Sequence, residues 1–262
     1  MFCLMTNLRV FLINLDGSDT RLQAATSALR AQNVPFTRHA AFDGRNTNPK
    51  DVPEYNAAQA RAYMGRDLTG GEVGCFISHV EVVRRFLKTD ARFALVLEDD
   101  MQPLAHGLAK VQRFVDASID CDHHWDVAHL AAERLKLATP LHVLDGQPHA
   151  IKIHRAHYFP MRATALIWSR SGAERFLRSA YPITCPVDIH FRRLTQDNDG
   201  GLAIQPPCFT TTQAASDIDA GLGIKRGFET RSLLYPLKRA ARVLAENQRA
   251  IILRERAKKA LR

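Results

Sequence analysis

Three adjacent carboxylates, Glu98, Asp99 and Asp100, follow an apolar run in the stretch FALVLEDDMQP. Adjacent like charges repel each other and dehydrated carboxylates are costly, so a positive group is expected beside them. Mg²⁺ and Mn²⁺ prefer such hard oxygen ligands and keep coordination positions open for substrate phosphates. Because side chains alternate along a strand, Glu98 and Asp100 should point to one side and Asp99 to the other. The triplet therefore indicates either a metal-diphosphate site or an acidic turn that caps a helix or pairs with arginines.

A glycine-rich stretch, LTGGEVGCFISHVEVV, is the second candidate for chemistry. Gly70, Gly71 and Gly74 permit close approach of the backbone, and Ser78 and His79 follow about a turn into the predicted helix. A helix start of this kind can hold a phosphate or a sugar hydroxyl. The alternative is a plain helix entry with a buried, hydrogen-bonded histidine. The stretch matches neither the P-loop nor the dinucleotide fingerprint.

Strands and helices alternate in the segments that must position these residues. Short apolar runs predict strands around residues 8–16, 34–44, 92–100, 125–131 and 163–169. Helical spacing predicts helices near residues 19–33, 70–88, 105–117, 171–180 and 186–194. Residues 45–68 read as polar and irregular. The β-α-β start indicates an α/β fold with a parallel sheet, and such sheets bind ligands at the carboxyl ends of their strands.

The composition is that of a globular protein. The chain has 262 residues, 46% hydrophobic and 24% charged, which permits one large domain or two small ones and argues against wholesale disorder. Its five scattered cysteines contain no CxxC pair, so they fit a reducing, cytosolic compartment. The N-terminal residues lack a basic leader, and no run reaches the roughly 20 apolar residues that span a bilayer. A soluble protein, or one on a membrane surface, is expected.

The net charge of +9 is concentrated in residues 231–262, where ten Lys and Arg stand against two acids. The preceding residues are close to neutral, with 26 basic and 25 acidic side chains, so no nucleic acid partner is expected. Leu237, Leu244 and Ile251 stand seven residues apart among these cations, a pattern typical of an amphipathic helix on an anionic membrane. The alternatives are a helix packed on its own domain and a short coiled coil. The predicted division is a catalytic domain, 1–230, and a helical tail, 231–262.

Four motifs in order along the chain resemble family 25 of the glycosyltransferases, the lipooligosaccharide galactosyltransferase type. They are INLD with an arginine shortly after it (13–21), the turn Asp43-Gly44, GEVGCFISH (71–79) and LEDD (97–100). Looser matches follow in WDVAHL, ATALIWSRSGAERFL, PVDIHF and PPCFTTTQAASDI. The likeness covers about residues 9–218.

The resemblance implies a GT-A type fold, a Rossmann-like, open and mostly parallel sheet flanked by helices, here followed by a basic amphipathic C-terminal helix. It implies an inverting transferase that uses UDP-galactose and builds a β-linkage on lipooligosaccharide or a related cell-surface glycan. It also implies a divalent metal, Mn²⁺ or Mg²⁺, on the diphosphate. With a glycan or lipid-linked acceptor, the expected location is cytoplasmic, peripheral on the inner face of the cytoplasmic membrane.

Carried over to this sequence, the resemblance assigns the metal to Glu98 and Asp100. The nucleotide-sugar residues that we predict are Asn14, Leu15, Asp16, Arg21, Asp43, Gly74, Ser78, His79, Asp99 and Gln213. Ser216 accompanies Gln213 in the last motif, and for both a plain loop hydrogen bond is the alternative.

Asp188, in CPVDIHF, is the predicted base that deprotonates the acceptor hydroxyl. The alternative is a first-turn aspartate that stabilises the helix dipole. Glu72 and Glu98 are rival bases.

The chain departs from the family pattern in MRATALIWSR, near the expected sugar or acceptor pocket. Met161, Arg162 and Ala165 stand there in place of a small residue and an aromatic. This difference puts galactose as the donor sugar in question.

Two other functions stay open: a metal-dependent phosphoester hydrolase, and a catalytically silent, membrane-associated module that binds a nucleotide sugar. Two-metal hydrolases gather more Asp and His than this chain places at recognisable spacing.

Overall fold

Ten strands and seven α-helices are present in the residues that this computed structural model describes, 7–119, 124–146, 150–212 and 231–260. The strands are β1 (Leu8–Asn14), β2 (Thr37–Ala40), β3 (Phe93–Glu98), β4 (Met101–Pro103), β5 (Val127–His129), β6 (Ala138–Leu144), β7 (Ile151–Ala156), β8 (Ala165–Ser169), β9 (Gly201–Gln205) and β10 (Phe209–Thr211). The helices are α1 (Asp19–Arg30), α2 (Ala57–Met64), α3 (Gly70–Leu87), α4 (Gly107–Ile119), α5 (Arg170–Ser179), α6 (Val187–Asn198) and α7 (Tyr235–Ala260).

Eight of the strands form one mixed sheet in the order β2-β1-β3-β8-β5-β9-β7-β6. β1 pairs in parallel with β2 and β3, as β5 does with β9. β8 runs antiparallel to β3 and β5, and β7 runs antiparallel to β6 and β9. The predicted α/β class, an open sheet flanked by helices, is confirmed, and its N-terminal β-α-β unit is parallel.

Two apolar cores lie on opposite faces of this sheet because side chains alternate along each strand. Phe11 and Val96 contribute to the core that contains residues of α3, α5 and α6. Leu12 and Leu95 contribute to the other core, against α1 and α4. Both strands are therefore buried on both faces, which explains their nearly continuous apolar runs.

The description of residues 45–68 as irregular is wrong for α2. Asn56 caps this helix by accepting a hydrogen bond from the Gln59 backbone N–H, and Gly65 ends it in the left-handed conformation, at φ 76°. Only Ala60 and Met64 of α2 are buried, so the helix carries too short an apolar stripe to be recognised by periodicity. Strands β4, β6, β7, β9 and β10 were not predicted either.

Helix α7 packs on α2, α6 and β6. Its buried residues are Glu246 and Ala250, whereas Leu237 and Leu244 are 68% and 59% exposed. The side of α7 that faces the body is therefore not the leucine stripe seen in the sequence. Within the described residues, no helix combines the length and the apolar character needed to span a bilayer.

Candidate active site

The carboxyl ends of β1 and β3 meet at one edge of the sheet, because Ile13 pairs with Glu98 in the parallel register. This places Asn14 beside Asp99: Asn14 Nδ2 donates to Asp99 Oδ2 at 2.7 Å. Arg21, from α1, donates to Asp99 Oδ1 at 3.0 Å. Asp99 is only 8% exposed, so its charge is compensated by the guanidinium rather than by water. Asp99 thereby ties the turn between β1 and α1 to the end of β3.

β3 ends at Glu98, so Asp99 and Asp100 lie in the turn after it rather than in the alternating strand. Glu98 and Asp100 line two cavities at this edge, and Asp99 lines one of them. Asp100 Oδ1 is buried and has no hydrogen-bond partner among the described residues. Burial, and then the charge of Glu98, raise the pKa of Asp100 to about 6. A buried carboxylate oxygen without a partner, close to a second carboxylate, is a donor set suited to a hard divalent cation. These two residues therefore fit the predicted metal.

Cys75 and His79 contact Glu98 from consecutive turns of α3. Cys75 Sγ lies 3.8 Å and His79 Nε2 lies 3.2 Å from Glu98 Oε1. The three ligand atoms lie within 4.8 Å of one another. Burial, and then the Glu98 charge, raise the pKa of the Cys75 thiol. His79 is buried, so it matches the alternative of a hydrogen-bonded histidine that orients Glu98.

Gly74 and Ser78 join α3 to the loop after β2. Ser78 Oγ donates to Gly74 O at 2.7 Å and accepts the Phe42 backbone N–H at 2.9 Å. A Cβ on Gly74 would lie 2.7 Å from the Phe42 carbonyl oxygen, closer than real Cβ contacts come. The glycine is thus explained by close packing, and a role of either residue at a nucleotide stays a prediction.

Two cavities meet at the carboxylates. The smaller cavity, about 140 Å³, lies over the ends of the first strands and is lined by Asn14, Leu15, Arg21, Ser78 and Asp99 among others. The main cleft, about 740 Å³, extends toward α6 and the loop before β8. Cys75, Glu98 and Asp100 line both. Glu98 and Asp100 can therefore be reached from both cavities.

The remaining predicted nucleotide residues lie at the edge of this site or outside it. Asp16 is exposed and paired with Arg38, and Asp43 is paired with Arg45 at 2.7 Å. Gln213, like Ser216, lies outside the described residues. Their contact with a nucleotide therefore stays a prediction.

Asp188 lies in the first turn of α6 and lines the main cleft with Glu98 and Asp100. Burial raises its pKa, while hydrogen bonds from the backbone N–H groups of Ile189 and Arg162 oppose the shift. A general base works best when its pKa lies near the working pH, so a raised carboxylate pKa suits this role. The position is also that of a residue favourable to the helix dipole, and the two roles are compatible.

Glu72 is engaged in a buried ion pair. Its Oε1 and Oε2 accept hydrogen bonds from Arg66 at 2.6 and 2.7 Å, and Oε2 also accepts the Thr69 backbone N–H at 2.9 Å. With Thr69 it forms the capping box of α3. Both oxygens are occupied, which argues against Glu72 as the rival base. The pattern T-x-x-E before an apolar run is a sequence signal for this role.

Thr210 and Thr211 line the main cleft and were not predicted. They belong to β10, which pairs antiparallel with β4 directly after the carboxylates. The Thr212 N–H donates to the Asp100 carbonyl oxygen at 2.8 Å. The looser family match PPCFTTTQAASDI contains both residues, but only the long-range pairing of β4 with β10 brings them to the site.

Several glycosyltransferases are similar to this chain over part of its length. The chain is 25% identical over 184 residues to procollagen galactosyltransferase 2 of Homo sapiens, covering 68% of this chain and 29% of that protein. It is 24% identical over 174 residues to the probable inactive glycosyltransferase 25 family member 3 of Bos taurus, covering 65% and 28%. The chain thus spans about three tenths of the length of these curated relatives.

A solved structure also has a partial likeness to this chain. It is a mutant of the Drosophila β-1,4-galactosyltransferase 7 in complex with manganese, UDP-Gal and xylobiose. The two are 13% identical with a TM-score of 0.42, and the match covers 89% of this chain and 79% of the other. A similarity at this level says nothing about function.

The sequence model described as Glycosyltransferase family 25 (LPS biosynthesis protein) matches residues 7–191. This range contains β1, α3, the three carboxylates and Asp188, and it exceeds half of the chain. The four motifs that resemble this family, the three carboxylates and Asp188 lie within one continuous match, and the chain belongs to glycosyltransferase family 25.

Proposed function

We propose that this protein transfers galactose from UDP-galactose, with inversion, to a hydroxyl group of a glycan or lipid-linked acceptor. Lipooligosaccharide or a related cell-surface glycan is the proposed acceptor class. The observation that carries the proposal is the pair Glu98 and Asp100 where two cavities meet. One buried oxygen of Asp100 has no hydrogen-bond partner in the part of the chain that the structure describes. Membership of a glycosyltransferase family and the named galactosyltransferase relatives support the reaction class.

In this proposal Glu98 and Asp100 hold Mn²⁺, or Mg²⁺ in its place. The ion, when bound, would neutralise charge on the departing diphosphate. The smaller cavity takes the nucleotide, and the Asp99–Arg21 ion pair fixes the turn that forms its wall.

The main cleft takes the sugar and the acceptor in this proposal. Asp188 accepts the proton of the attacking acceptor hydroxyl, on the face opposite the leaving group. Its carboxylate is positioned by N–H donors from two segments, Arg162 before β8 and Ile189 on α6. Such fixed donors hold the base in place before the acceptor arrives.

Donor hydrolysis by the purified protein tests the proposal. UDP-galactose, UDP-glucose, UDP-N-acetylhexosamines and GDP- and CMP-sugars are each incubated with Mn²⁺ or with EDTA, and nucleotide release is measured. We expect slow, Mn²⁺-dependent release from UDP-galactose that is lost in Asp100→Ala and kept in Asp90→Ala, a loop carboxylate outside the cleft. Release that ignores EDTA would refute the metal role of Glu98 and Asp100.

A catalytically silent module is the second candidate, because one relative is named as a probable inactive family member. A silent module would bind a nucleotide sugar, seen as a thermal shift, without release and without sensitivity to Asp100→Ala. The same donor screen therefore separates the two candidates.

We also propose that α7 binds an anionic membrane surface. The protein would then be a peripheral protein on the inner face of the cytoplasmic membrane. The exposed leucines and the excess of cations in residues 231–262 support this location.

A further inference from the structure

The main cleft continues into a third cavity of about 300 Å³, which we call the basic pocket. Its cationic lining residues are Arg134, Lys136, Arg162 and Arg192. The residues that it shares with the main cleft are Glu133, Met161, Arg162, Thr164, Thr210 and Thr211. It shares no lining residue with the smaller cavity. A molecule that enters the basic pocket therefore reaches Glu98 and Asp100 through the main cleft and not through the smaller cavity.

The main cleft and the basic pocket, which are continuous with each other, are lined by charges of opposite sign. The main cleft is acidic where Glu98, Asp100 and Asp188 line it, and cations line the far end. Arg192 is committed to structure, because it is buried and donates to Glu246 at 3.1 Å. Arg134 and Arg162, in contrast, are exposed, and neither guanidinium is ion-paired within the described ranges.

Lys136 is held over the ring of Tyr158, with its Nζ 4.8 Å from the ring centroid. Tyr158 in turn stacks on Arg192, whose Cζ lies 3.9 Å from the same ring. This aromatic contact restrains the ammonium group at the wall of the pocket. Lys136 is therefore a positioned cation rather than a freely moving surface lysine. Glu133 is the one acid that lines the pocket in the described part of the chain.

Arg162 connects the two ends of the space. Its φ of 70° is uncommon for a residue with a side chain, and such backbone strain is concentrated at functional sites. The Arg162 backbone N–H donates to Asp188, the candidate base. Its side chain lines both the main cleft and the basic pocket. Arg162 thus positions Asp188 through its backbone N–H, while its guanidinium faces the cleft and the basic pocket, where it can bind a ligand.

We propose that the basic pocket binds an anionic substituent of the acceptor, a phosphate or a carboxylate, while the accepting hydroxyl lies at Asp188. The inference rests on the proposed transferase function and specifies its acceptor class. Guanidinium groups bind both kinds of oxyanion in bidentate geometry, and an ammonium group adds a point charge. Arg162 and Lys136 are then specificity-determining residues, and Arg134 extends the same cationic wall.

Equilibrium binding to the full chain tests the inference without requiring turnover. Glucose 6-phosphate, glucuronate and glucose are titrated in turn, and the dissociation constants are measured by calorimetry. We expect at least one anionic sugar to bind more tightly than glucose, and its affinity to fall as salt is raised. The phosphate and carboxylate arms identify which anion the pocket prefers.

Two variants locate the binding. Arg162→Asn removes the charge with a residue that tolerates the left-handed backbone, so the N–H to Asp188 is retained. We expect Arg162→Asn and Lys136→Gln each to weaken binding of the anionic sugar about tenfold, as for loss of a charge-assisted hydrogen bond. Arg30→Gln, an exposed cation at the end of α1, is the matched control and should bind as the wild type does. Thermal denaturation verifies folding of all three.

Equal binding of charged and neutral sugars, or undiminished binding in the Arg162→Asn/Lys136→Gln double variant, would overturn the inference. Donor hydrolysis without acceptor reports on the transferase separately. A protein that binds the anionic sugar at this pocket but releases no nucleotide would contradict the proposed function and leave the anion site standing.

Discussion

At the scale of single residues, Asp100 is expected to oppose folding in the metal-free protein. Its pKa is raised from 3.8 to about 6, chiefly by burial and then by Glu98. The folded state therefore binds this proton more tightly than the unfolded state does. Any stability linked to the proton is fully present below pH 3.8 and is lost as the pH rises through about 6.

Asp100→Asn should consequently stabilise the metal-free protein at pH 7. Because the site is partly exposed and solvent screens the charge, we expect a gain of about 1 kcal/mol. The gain should vanish near pH 4, and metal-dependent nucleotide release should be lost. Denaturant unfolding in EDTA at pH 4, 5.5 and 7 measures this. A variant less stable than the wild type at pH 7 would show that the buried charge is not unfavourable.

Asp188→Asn tests the proposed base. The amide keeps the shape of the side chain but cannot accept the acceptor proton, so we expect transfer to fall by about 10²- to 10⁴-fold. Binding of UDP-galactose should be unchanged, because Asp188 lines the main cleft and not the smaller cavity. Transfer rate and donor affinity are measured on the same preparation. Turnover near that of the wild type would remove Asp188 from the mechanism.

At the scale of elements, the start of α3 is held by charges rather than by apolar contacts alone. Arg66 and Glu72 are both buried, and their ion pair also supports the capping box with Thr69. The pair fixes the helix that presents Cys75 and His79 to Glu98. The geometry of the carboxylates thus depends on a contact one turn away from them.

Glu72→Gln leaves the Arg66 guanidinium buried without its counter-charge. Breaking a buried ion pair in this way destabilises a protein by about 3–5 kcal/mol. We expect a loss of that order in denaturant unfolding at pH 7. Glu174→Gln, on the exposed side of α5, is the control and should cost less than about 0.5 kcal/mol. Equal effects of the two substitutions would mean that the ion pair contributes little.

At the scale of the whole molecule, α7 joins the body through polar contacts. Glu246 pairs with Arg192 of α6 and with Arg242 of its own helix, at 3.1 and 3.2 Å. Gln196 of α6 also donates to the Glu246 carbonyl oxygen at 2.9 Å. Because these contacts occupy one side of the helix, the leucines at 237 and 244 are left exposed with the cations around them.

A full chain with Leu237→Ser and Leu244→Ser should lose binding to anionic liposomes. These side chains supply apolar area that would be buried in the interface, and without it the cations alone bind weakly and in a salt-dependent way. Sedimentation with phosphatidylserine vesicles measures the bound fraction. Val143→Ser, which removes an exposed apolar side chain from β6, is the control. Unchanged binding of the double variant would contradict the membrane proposal.

The sequence by itself determined the parallel β-α-β start, the positions of α3 and β3, and the family. Local patterns suffice there, because β1 and β3 are buried on both faces and α3 has a capping box and an apolar stripe. The apolar run of β3 likewise places the three carboxylates at the end of this strand.

Only the tertiary structure decided what these residues contact. The ion pair of Asp99 with Arg21, the capture of Glu72 by Arg66 and the approach of β10 to Asp100 join segments whose spacing carries no signal. Periodicity showed that α7 has an apolar stripe but not which side meets the body. The ion pair of the buried Glu246 with Arg192 of α6 fixes which side of α7 faces the body. This is a long-range electrostatic contact that no local pattern encodes.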